Sequence, residues 1–180
     1  DISAVLHGLV ASATELTDAK YAALTVLDGR GEIISFIHHG VSEDVAQRIP
    51  QPTGAGLLLL IPPQGHLIVD DVSTHPAFEG WPEHHPKMHN LLGVPIRIDD
   101  RVFGRLYVAD KDGGFTNTDA RTLEQLAAAA AVAVDNARRY TLSRDRECWM
   151  AVSQRITAAL LAGTEEEEVL ELIAAEVREV

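Results

Sequence analysis

The chain has 180 residues, 46% apolar and 23% charged, a composition that supports a buried core and excludes a disordered polymer. Fifteen Lys and Arg stand against 27 Asp and Glu, giving a formal charge of −12. That balance disfavours a nucleic-acid surface and an anionic membrane surface, because both recruit clustered basic residues.

Residues 2–16 carry Ile2, Val5, Leu6, Leu9, Val10, Ala13 and Leu16 at helical spacing, which predicts a first helix. Residues 21–27 and 32–39 are rich in β-branched and aromatic side chains. Asp28-Gly29-Arg30-Gly31 between them supplies turn chemistry, so a β-hairpin is expected. Residues 40–56 are polar and hold Pro50, Pro52, Gly54 and Gly56, with a short helix expected near residues 43–49. The apolar run 57–61 ends at Pro62-Pro63, and residues 66–69 read as a short strand. Residues 70–90 show no periodicity and contain Pro76, Pro82, Pro86, Phe78 and Trp81; irregular loops of that length are often functional.

A second hairpin follows in residues 91–98 and 102–109, turning at Asp99-Asp100-Arg101. Residues 118–139 then form a helix capped by Asn117 or Thr118, with Leu123, Leu126, Ala130, Ala133, Val134 and Ala137 in an apolar stripe. Its pattern continues to Leu161; Gly163 ends it, and Thr164 with Glu165 to Glu168 opens another helix carrying Val169, Leu170, Ile173 and Val177. Hairpins with segregated helices make an α+β domain: a central antiparallel sheet, helices packed on one face and a long C-terminal connector helix. Residues 1–142 form the domain, and residues 143–180 a helical linker leading to a second, truncated one. Beginning at Asp1 and ending inside a helical pattern, the sequence reads as part of a longer protein.

Enzyme signatures are poor. No Walker-type loop, no dinucleotide-binding Gly-x-Gly-x-x-Gly and no Gly-x-Ser-x-Gly elbow occurs, and Gly54-Ala55-Gly56 is too short to cradle a phosphate. The one cysteine, Cys148, excludes an internal disulfide and a multi-cysteine zinc site, fits a reducing cytoplasm and has no evident base to activate it. No apolar run reaches the roughly 18 residues of a membrane span. Histidine is the informative residue. Of eight, four fall in the irregular loop: His75, His84, His85 and His89. They are either exposed loop residues or ligands, for a haem iron or for a protein-built metal site completed by Asp70, Asp71, Glu79 or Glu83.

Three stretches carry a resemblance. They are Asp18-Ala19-Lys20-Tyr21-Ala22-Ala23-Leu24; Asp70-Asp71-Val72-Ser73-Thr74-His75-Pro76 with Trp81-Pro82-Glu83-His84-His85-Pro86-Lys87-Met88; and Leu92-Gly93-Val94-Pro95-Ile96-Arg97 with Phe103-Gly104-Arg105-Leu106-Tyr107. The Leu-Gly-Val-Pro and Phe-Gly-x-Leu-Tyr segments resemble GAF domains. The His-Pro segments resemble the haem-binding first GAF domain of the mycobacterial dormancy sensor histidine kinases of the DevS/DosT type. The resemblance implies non-covalent haem b, with iron held by His85, beside which His84 is a competing imidazole. It implies a distal tyrosine at Tyr107, Thr25 at the haem edge, and a pocket floor from Leu24, Val26, Phe36, Leu92 and Val94. It further implies a cytoplasmic homodimer that senses a diatomic gas (dioxygen, nitric oxide or carbon monoxide) or a redox change. The domain itself would catalyse nothing and would signal to a second GAF domain, a histidine kinase and a response regulator. The other readings are a GAF module that binds a cyclic nucleotide or metabolite, one that only dimerises, and a non-haem His/carboxylate metal site.

Overall fold

A computed structural model describes residues 2–28, 30–50 and 56–161. The order is α1 (Ile2–Thr17), β1 (Ala19–Leu27), β2 (Ile33–His39), α2 (Glu43–Ala46), β3 (Leu67–Val69), β4 (Leu91–Ile98), β5 (Arg101–Lys111) and α3 (Asn117–Leu161). Two 3₁₀ turns, Gly56–Leu60 and Val72–Thr74, lie in the connections. Both expected hairpins form. The Asp28 carboxylate accepts the Arg30 and Glu32 N–H groups at 2.7 and 2.9 Å and so closes the first. Asp99, at φ 54°, takes the left-handed conformation that the tight second turn requires. The expected helix at residues 43–49 is shorter: after Ala46 the chain continues in i→i+3 turns to Ile49, just ahead of Pro50.

The hairpins do not stand side by side as separate units. β1 pairs with β2 on one edge and with β5 on the other, giving an all-antiparallel sheet in the order β2-β1-β5-β4-β3. Gly104 permits the β1–β5 approach, since a Cβ there would meet the Thr25 carbonyl oxygen. On one face of the sheet Leu24, Leu92, Val94, Leu106 and Val108 are fully buried. They pack with Val10 and Ala13 of α1 and with Ala120, Leu123 and Ala130 of α3. Each such side chain contributes about 1.5–3 kcal/mol through removal of apolar surface from water.

The start of α3 is fixed by a reciprocal cap. The Asp119 carboxylate accepts from the Thr116 N–H and hydroxyl at 2.7 and 2.8 Å, and the Asp119 N–H donates to the Thr116 hydroxyl at 3.3 Å. Lys111 Nζ, at the end of β5, reaches the same carboxylate at 2.7 Å. The burial of Asp119 opposes its charge, but the Lys111 and Thr116 donors outweigh it and hold the carboxyl below its usual range.

The chain divides into two units, Asp1–Val134 and Asp135–Val180. The division falls within α3, upstream of the expected 142/143 boundary. The expected helix end at Gly163, the cap at Thr164 and the run Glu165 to Glu168 lie outside the described residues, as do Gly29, Pro52, Gly54 and Ala55 and the side chain of Cys148. Among the described residues no helix is long and apolar enough to cross a membrane.

Candidate functional site

The other face of the sheet carries no helix of the core cluster. Strand alternation brings Tyr21, Ala23, Thr25, Phe36, His38, Leu91, Tyr107 and Ala109 to it. Where the helix side has leucine and valine, this side has Ala23 and Ala109, so space remains between the sheet and the loop that crosses it. That space is a cavity of about 570 Å³, a size usual for small-molecule sites. Ala23, Phe36, His38 and Tyr107 form its sheet wall; Phe78, Trp81, His85 and Met88 form its loop wall.

The loop wall is locally well determined. The N–H of His85 donates to the Pro82 carbonyl at 3.1 Å, closing a four-residue turn. His84, third in that turn, takes φ 64°, as a turn with a left-handed third residue requires. The two adjacent imidazoles therefore separate. His84 is exposed and sits 3.5 Å from the Glu83 carboxylate, while His85 lines the cavity. The His85 ring stacks on Trp81 at 5.0 Å with 13° between planes, and Trp81 packs edge-on against Phe78 at 5.1 Å. His85 Nδ1 lies 2.7 Å from the Pro86 carbonyl oxygen. A carbonyl can only accept, so Nδ1 carries a proton, and in the neutral imidazole it is then Nε2 that holds the lone pair. An imidazole oriented through Nδ1–H to a carbonyl, with Nε2 free, is a standard arrangement of a metal ligand.

Tyr107, on β5, lines the sheet wall, and burial pushes its phenol pKa well above the usual tyrosine range, against a small opposing effect of Arg105. Its hydroxyl is neutral and makes no hydrogen bond among the described residues. Of the four loop histidines only His85 reaches the cavity. His75 Nδ1 instead accepts the Ala77 N–H at 3.2 Å, and the His89 N–H donates to Asp110 at 2.6 Å. Among the described residues no group of three or more His, Cys, Asp or Glu converges as a metal site, so the loop histidines and carboxylates do not assemble one.

The expected floor needs correction. Phe36 lines the cavity, but Leu24, Val26, Leu92 and Val94 do not; they belong to the core under the helices. The side-chain period of two puts them on the opposite face from Ala23 and Tyr107. Thr25 is on the cavity face but buried beyond the cavity, its hydroxyl donating to the Arg105 carbonyl at 3.4 Å. His84 is excluded from the cavity by the turn. Sequence reasoning missed His38. Its signal was available, since His38 lies two residues beyond Phe36 on one strand and so shares its face.

The GAF domain family model matches residues 1–135. Among solved structures, the GAF domain of a phosphoenolpyruvate-protein phosphotransferase from Coxiella burnetii superposes with a TM-score of 0.66 at 21% identity, over 79% of this chain and 87% of that one. The free methionine-R-sulfoxide reductase of Neisseria meningitidis gives 0.62 at 22%, over 78% and 81%. A domain assigned to a two-component sensor histidine kinase of Sinorhizobium meliloti 1021 gives 0.61 at 13%, over 80% and 97%. At these identities the likeness establishes the fold, and the proteins sharing it include both enzymes and signalling modules. Because the family model spans residues 1–135, well over half of the sequence, the chain belongs to the GAF domain family.

Proposed function

We propose that this chain is a haem-binding GAF sensor domain whose ligand state is passed to a histidine kinase. The observation that carries the reading is His85, an imidazole on the cavity wall with Nδ1–H held by the Pro86 carbonyl and with no partner on Nε2 among the described residues. The residues present fit the group. One well-oriented imidazole, aromatic and aliphatic walls and a neutral phenol suit a flat apolar macrocycle carrying one metal. Haem iron would supply the centre that binds a diatomic gas or changes oxidation state. The protein's part is to hold and report. His85 would hold the metal through a ring kept in place by Trp81 and Pro86. Tyr107 offers one hydrogen-bond donor into the cavity. Tyr107 lies on β5, whose last residue, Lys111, is hydrogen-bonded to Asp119 at the start of α3. A change in bonding at Tyr107 can thus bias the seating of α3, the helix that leads out of the domain.

The experiment is a visible spectrum of the purified chain after haem addition, for the wild type, His85→Ala and His84→Ala. A sharp Soret band that responds to dithionite and carbon monoxide, kept in His84→Ala and lost in His85→Ala, is expected. No band in the wild type overturns the reading and leaves a GAF module with another ligand or none. Loss in His84→Ala alone moves the ligand by one residue.

A further inference from the structure

Tyr107 is not the one polar group on the sheet wall. The strand register aligns His38 of β2 with Ala23 of β1, and Ala23 with Tyr107 of β5. Residues paired in this way project from the same face, with neighbouring strands about 4.8 Å apart. The His38 and Tyr107 backbones are therefore about 10 Å apart, two strand spacings. Between them stands only the methyl group of Ala23, which also lines the cavity. Imidazole and phenol thus rise from either side of a gap in the wall.

Both are unspent. Neither ring nitrogen of His38 has a hydrogen-bond partner among the described residues, and its Nδ1 is buried. The Tyr107 hydroxyl is likewise unbonded. The Phe36 ring at 5.8 Å gives His38 an apolar contact that a phenylalanine would make equally well. A buried, unpaired imidazole nitrogen costs stability. The other ring nitrogen, Nε2, is not buried, and it is the one that a ligand in the cavity can reach. We infer that His38 is a second polar contact of this cavity, donating a hydrogen bond beside that of Tyr107 to a small ligand, a diatomic gas or water, held over Ala23. The inference rests on the haem reading above and adds a residue that governs how long the small ligand stays.

The test compares haem-loaded wild type with His38→Phe. Dioxygen is expected to dissociate about five- to tenfold faster from His38→Phe, the change that loss of one hydrogen bond produces. The C–O stretch of the carbon monoxide complex is expected to rise, and Tyr107→Phe combined with His38→Phe to give a non-additive effect. His38→Gln, which keeps a donor, should recover most of the change. It replaces His38→Phe in the comparison, against His38→Leu, if the phenylalanine variant fails to take up haem. Without haem, His38→Phe should melt at or above the wild-type temperature, since it removes an unpaired polar group. A dioxygen dissociation rate within twofold of wild type and an unmoved carbon monoxide band, at full haem content, overturn the inference and leave the haem reading standing. A wild type that takes up no haem overturns both.

Discussion

On the helix side of the sheet, Leu24, Leu92, Val94, Leu106 and Val108 are fully buried, packed with α1 and the first part of α3. On the loop side, alternate residues of the same strands include Ala23, Ala109 and Tyr107. The cover is a loop punctuated by prolines, and a cavity of about 570 Å³ is left. The backbone is common to both faces, so side-chain volume and the kind of cover make the difference. One face carries the stability that lets the other keep unfilled space and unpaired polar groups. That division matches the general tension between stability and function at binding sites.

The comparison breaks most sharply at its solid face. Leu106→Ala removes a fully buried side chain from the strand that also carries Tyr107. It is expected to cost about 2–5 kcal/mol in urea unfolding. A loss below about 1 kcal/mol would show that this face is not close-packed.

A smaller effect is expected where the sheet meets α3. Asp119→Asn removes the charge that Lys111 and Thr116 bind. At neutral pH it should lower stability by about 1–2 kcal/mol. The carboxyl is held below its ordinary value of 3.8, so its contribution is complete above that pH and disappears as pH falls through the lower folded value. Unfolding curves of wild type and variant should therefore converge in acid. A gap that persists at the lowest pH would mean that the network does not depend on the charge.

The least effect is expected from His84→Ala, which sharpens the cavity face. His84 is exposed and its side chain is paired with Glu83, itself exposed, so stability should change by less than about 0.5 kcal/mol. His84→Gly should be neutral or slightly stabilising, because φ 64° suits glycine. Both variants should keep the properties of the cavity, and a change as large as that of His85→Ala would place the two imidazoles in one site.

Much of the architecture is legible from local pattern. The turn residues Asp28 and Asp99, the β-branched runs beside them and the helical stripe from Leu123 onward act over a few neighbours, and those elements form where expected. The candidate site was legible in part. His85 and Tyr107 were singled out through the resemblance, and both line the cavity. Leu24 and Val94 were assigned to the wrong face because an apolar run reads alike on either side of a sheet buried on both.

By itself, then, the sequence determined the elements, their turns, the α+β class and the residues able to do chemistry, since these follow from interactions between near neighbours. Only the tertiary structure decided that β5 lies between β1 and β4, that His84 and His85 part company, and that His38 shares a wall with Tyr107. Those outcomes depend on register between strands as far apart in the chain as Ala23 and Tyr107. There, shifting the pairing by one residue would exchange the faces of the sheet.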